Sequence, residues 1–162
     1  MRLTVVGIGQ TLRGDDAAGI EAVRRWERIF QETAQRPEVT VQYSELPGLG
    51  LLSLLEGFNA AVLVDAVSSA AAAGMVRRLD PEELGSFDTG ARSAHGWGIA
   101  ETLQLDRQAH PSRPLQVRLI GIEAGQVELG RPLSAEVEAA LPAACQAIEE
   151  EVRAMLAAGA NA

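Results

Sequence analysis

VVGIGQTLRGDDAAGI, residues 5–20, sets the fold and poses the chemical question. An apolar strand pattern runs into Gly7-Ile8-Gly9, and Ile20, Val23, Trp26 and Phe30 then follow at helical spacing. Strand, glycine turn and helix in this order open many nucleotide-binding units. The dinucleotide fingerprint G-x-G-x-x-G, however, needs a glycine where this chain has Leu12. Asp15 and Asp16 would also oppose the anion that a helix N-terminus attracts. The chain contains no lysine, which excludes the lysine-dependent phosphate loop. The stretch argues against a phosphate.

Outward from this unit, strands and helices alternate. Residues 2–8 read as a strand and 17–34 as a helix. Val39, Val41 and Tyr43 alternate with polar residues, as in a strand with one wet face. Pro47-Gly48-Leu49-Gly50 breaks the chain before a short helical stretch, 50–57. NAAVLVDAV, 59–67, is a continuous apolar run of the kind buried on both faces. An alanine-rich turn at 69–73 leads to a strand near 74–79, and Pro81-Glu82-Glu83 opens another turn. Residues 95–107 read as helical, and LQVRLIGIE, 115–123, is the last strong strand. Ser134 then caps a long helix to about 157, with a bend expected at Pro142. The expected architecture is one α/β domain over 1–162, a three-layer fold whose mostly parallel twisted sheet carries helices on both faces.

Composition narrows the function classes. A net charge of −8 repels nucleic acid and anionic membrane, because both need clustered cations. No apolar run reaches the roughly 18 residues required to span a bilayer, and the N-terminus enters a strand pattern without signal-peptide spacing. Cys145 is the single cysteine, so no internal disulfide can form. A cytoplasmic setting is the expectation.

In open α/β sheets, ligands bind beyond the carboxyl ends of the strands, where the strand order reverses. Asp15 and Asp16 follow the first strand at that edge, and Asp65 lies near the end of the most buried one. SAHGWG, 93–98, puts His95 in a glycine-rich loop at a helix start that can reach the same edge. Two carboxylates and an imidazole make an O, O, N set suited to a borderline divalent cation such as zinc or nickel; as an alternative, they form an acid–base set acting on water. Plainer readings stand beside these. Asp15 serves as an N-cap, Asp65 is held by loop amides, and His95 caps its helix or packs. His110 reads as solvated, Cys145 as core, and Glu149, Glu150 and Glu151 as a wet helix face.

Taken together, GIGQTLRGDDAAG, LVDAV and SAHGWG resemble the hydrogenase maturation proteases in order and spacing. These endopeptidases remove a C-terminal extension from the large subunit of [NiFe] hydrogenases. The resemblance runs from Met1 through RLIGIE and the last helix. It implies that Asp16, Asp65 and His95 are the metal-binding and catalytic residues. The nickel they meet would arrive with the hydrogenase large-subunit precursor, and another divalent cation would be able to occupy the site in isolation. It also implies a twisted sheet with helices on both sides. Two positions depart from the family pattern: Gln10 replaces its usual asparagine and Ala17 its glycine. No serine or cysteine nucleophile is evident, so water is the expected attacking group, activated by a metal or by a free carboxylate. A monomer is expected. Two other classes remain open here: a non-catalytic nickel-dependent checkpoint that binds the precursor, and a hydrolase of a small substrate with its own metal.

Overall fold

The computed structural model describes residues 1–45, 49–79, 92–93, 99–112 and 115–160. The strands are β1 (Leu3–Ile8), β2 (Val39–Ser44), β3 (Ala60–Ser68), β4 (Val76–Leu79), β5 (Arg92–Ser93) and β6 (Gln116–Glu123). The helices are α1 (Ala18–Ile29), α2 (Gln31–Ala34), α3 (Leu49–Leu55), α4 (Ile99–Ala109) and α5 (Ala135–Ala160), with a 3₁₀ turn at Gly14–Ala17. The strand order is β2-β1-β3-β6-β4. β2, β1, β3 and β6 run parallel, whereas β4 closes the β6 side antiparallel.

This order positions the site. From β1 the chain moves to β2 on one side, then crosses back to β3 on the other. The reversal opens a crevice beyond the carboxyl ends of β1 and β3. β3 is also longer than its neighbour: pairing with β1 ends at Gly7↔Val64, yet β3 continues to Ser68. Beyond the end of β1, the two residues of β5 pair antiparallel with Val67 and Ser68.

Side-chain alternation along the strands builds two cores. Val62, Val64 and Ala66 of β3 face the layer formed by α1 and α5, with Trp26, Leu141 and Ile148. Ala61, Leu63 and Val67 face Leu51 and Leu55 of α3 and Ile99 and Leu103 of α4. The expected three-layer arrangement is present, and β3 is buried on both faces as its apolar run requires.

Two expectations change. The helix read over 17–34 breaks at Phe30, whose backbone (φ −108°, ψ 49°) leaves the helical region, and α2 follows as one short turn. Glu149 is not on a wet face: it is 3% exposed. Its carboxylate accepts from Trp26 Nε1 at 3.0 Å and Thr33 Oγ1 at 2.7 Å, and Arg153 supplies a cation. A buried carboxylate requires such donors, and the break at Phe30 brings Thr33 into the set. Glu150 is exposed and Glu151 partly so; both ion-pair with Arg78. Ser134 does cap α5, its Oγ accepting from Val137 N at 3.4 Å, and the helix continues through Pro142.

The glycines of the opening stretch serve close packing. A Cβ on Gly19 would lie 2.2 Å from the Val64 carbonyl oxygen and 2.4 Å from that of Ile8. One on Gly9 would lie 2.0 Å from the Asp16 carbonyl oxygen. Gly19→Ala is therefore expected to cost at least about 3 kcal/mol and to lower Tm by roughly 6–12 °C. A thermal melt within 2 °C of wild type would show that the helix is not seated this tightly.

Candidate active site

The start of α1 carries the first acids to the crevice. Gly19 rests on the last carbonyl of β1, that of Ile8, and on Val64 of β3, and the Gly14–Ala17 turn packs against β3. Asp16, in that turn, is 4% exposed. Asp65 follows Val64 directly and is fully buried. By alternation it lies between Leu63 and Val67, on the face covered by α3 and α4. Asp65 thus lies on the α3–α4 side of β3, while Asp16 lies in the turn that leads into α1 and packs against β3. Burying a carboxylate requires compensating partners, and both aspartates interact with neighbouring groups.

His95 lies outside the described residues. Two described neighbours bracket it in sequence: Ser93, paired with Val67, and Ile99, the first residue of α4. Among the described residues no group of three potential metal ligands occurs.

Asp15 has a different task from its neighbour. Its carboxylate accepts from Gly125 N at 2.8 Å, Gln126 N at 2.9 Å, Ser134 N at 2.6 Å and Ser134 Oγ at 2.9 Å. It therefore secures the loop leading to α5 instead of capping the helix it precedes. Three backbone bonds reinforce this: Asp15 N to Gln126 O, Gly14 N to Arg131 O and Gly130 N to Leu12 O. Gly14 needs its glycine here, since φ is +55° and a Cβ would meet Gln126 O at 2.8 Å.

A buried acid that the sequence reading missed stands at the end of β6. Glu123, 1% exposed, accepts from Ser69 N at 2.6 Å and Ser69 Oγ at 2.8 Å. It fixes the turn that ends β3. The available signal was the same as for Asp65, an acid in an apolar strand. His110 is part-exposed and pairs with Asp106 at 3.1 Å, at the far end of α4.

Cys145 is core. Its thiol donates to Ala22 O at 3.4 Å between α5 and α1. Burial pushes it up to about 11, against which Arg25 and Arg28 act only weakly. A protonated, enclosed thiol is no nucleophile.

The family model of hydrogenase maturation proteases matches residues 23–151. A hydrogenase expression/formation protein HupD from Rhizobium leguminosarum bv. viciae is 30% identical over 158 residues, covering 95% of this chain and 74% of that protein. The hydrogenase 2 maturation protease of Escherichia coli K12 is 28% identical over 163 residues, covering 100% and 95%. Among solved structures, the hydrogenase maturating endopeptidase HybD from E. coli superposes with a TM-score of 0.79 at 25% identity, covering 96% of this chain and 94% of that one. A [NiFe] hydrogenase maturation protease HybD from Thermococcus kodakarensis gives 0.71 at 28% identity, covering 94% and 99%.

Two outcomes are expected. Asp15→Asn places an amide N–H₂ among four donors and should cost at least about 3 kcal/mol, read as a Tm lower by roughly 6–12 °C. For Cys145, the unfolded thiol ionises near 9.0 and the folded one near 11. Its contribution to stability is full below pH 9 and is lost as pH rises towards 11. Denaturant titrations at pH 8, 9.5 and 11 should show wild type losing stability relative to Cys145→Ala; parallel curves would contradict the burial of the thiol.

Proposed function

The chain belongs to the hydrogenase maturation protease family, and from this premise we propose that it removes the C-terminal extension of a [NiFe]-hydrogenase large-subunit precursor that already carries nickel. The supporting observation is the burial of Asp65 on β3 and of Asp16 in the turn that packs against β3. Nickel is part of the substrate in this reading. Asp16, Asp65 and His95 engage it, and their O, O, N donor set suits a borderline divalent ion. For His95 the support is its flanking sequence: β5 ends two residues before it, on the strand that carries Asp65.

The chemistry needs no protein nucleophile. Water adds to the scissile carbonyl carbon, the carbon–nitrogen bond breaks, and the departing amine takes a proton. A carboxylate of the site takes the proton from the attacking water, and the substrate's nickel would act as a Lewis acid that makes that water more acidic and stabilises the developing oxyanion. Metal recognition and bond cleavage are thereby joined in one crevice, so that an empty precursor is left uncut. The reading includes a monomeric enzyme working in the cytoplasm.

Cleavage of purified precursor with and without nickel tests the proposal directly. A gel shift only in the nickel-loaded sample is expected. Stable nickel-dependent binding without a cut would instead indicate a checkpoint protein, and protein-bound metal surviving dialysis would indicate a hydrolase with a resident ion. The role of Asp65 is separable from folding. Asp65→Asn keeps the shape and removes the charge, so processing should be lost even where the fold and most of its stability are retained. An Asp65→Asn protein that melts several degrees lower yet still cuts would end the functional role of this residue.

A further inference from the structure

The turn leading to Asp16 and the loop after β6 together present an unusual pair of side chains. Leu12 and Leu129 are 71% and 77% exposed, the highest values among the large hydrophobic residues described. They come from segments more than a hundred residues apart, yet Gly130 N donates to Leu12 O at 2.8 Å, so the two stand on adjoining backbone. Val127, in the same loop as Leu129, is 41% exposed. Single exposed leucines are ordinary, but grouped ones mark contact surfaces.

These residues are also held firmly. Asp15 N to Gln126 O, Gly14 N to Arg131 O and the four bonds to the Asp15 carboxylate lock the two loops together on both sides of the pair. The buried acid beside Asp16 thus maintains an apolar tip four residues before Asp16 itself. A surface ordered in advance loses little entropy when it binds.

We propose that Leu12 and Leu129 form a docking tip for the folded hydrogenase large-subunit precursor, seated on an apolar patch beside its cleavage site. This rests on the function proposed above, and it commits to that partner because the tip is continuous with the turn that carries Asp16. Leu12 stands four residues before Asp16 on the same loop, so a protein substrate engaged at Asp16 brings its surface close to Leu12. The tip contributes affinity that does not depend on nickel, so it holds the precursor while the crevice tests for the metal.

The test uses the full-length protein and nickel-loaded precursor, immobilised, with Kd measured alongside processing kinetics. Leu12→Gln combined with Leu129→Gln should raise Kd and KM by about tenfold or more, with kcat within twofold of wild type and Tm unchanged. Leu12→Met combined with Leu129→Met, which keeps an apolar tip, should restore binding to within about threefold of wild type. Nickel-free precursor should show the same loss with the glutamine pair. An unchanged Kd in the glutamine variant would overturn the inference, as would a loss of kcat with KM intact. If wild type binds the precursor but never cuts it, the proteolytic reading fails and the Kd comparison still decides the docking tip. If wild type does not bind at all, both fail.

Discussion

The close approach of Gly19 to the carbonyls of Ile8 and Val64 governs everything around the crevice. A hydrogen in place of a side chain lets the first turn of α1 sit directly on the end of β1 and on the middle of the parallel strand β3. That seat fixes the height of the 3₁₀ turn before it, and so fixes Asp16. It also fixes α1 over β3, which brings Trp26 to Glu149 and sets the spacing between α1 and α5. Gly9 repeats the device one strand end earlier, against the backbone of Asp16. The glycines of a phosphate-binding turn and of this turn look alike because both serve close backbone approach. Here the approaching group is another part of the same chain.

Asp15 and Asp16 show how adjacent identical residues divide by surroundings. The first meets four N–H and O–H donors and is consumed by structure. Those donors belong to residues 125–134, so the segment after the last strand is anchored beside the first turn. The second, 4% exposed, lies in the turn that packs against β3. The clamp on Asp15 also holds the backbone of its neighbour, which cannot relax away without losing those bonds.

Much of this was legible in the chain. The run VLVDAV announces a strand buried on both faces, and its single acid has to have a reason to be there. The parallel order follows from alternating strands and helices, and the place of the site follows from the strand reversal. What escaped depends on partners remote in sequence. Asp15 finds its donors 110–119 residues away. Glu149 sits between two other acids and looks solvated until Trp26 and Thr33 are placed over it. The break at Phe30 has the same origin, because helical periodicity continues through it while the tertiary contact of Thr33 does not permit a straight helix. β5, with two residues, is too short to leave any pattern.

The lone thiol at the α1–α5 interface has a use outside chemistry. Cys145 is 1% exposed and stands among residues that both helices must part to reveal. A thiol reagent in solution can reach it only when that interface opens, so its labelling rate reads the opening of the inner layer as hydrogen exchange reads a buried amide. With a second cysteine nowhere in the chain, the signal has a single source. The protein carries its own clock for the separation of α1 from α5. Because Gly19 lies on α1, that clock also times the loosening of the seat on which the crevice is built.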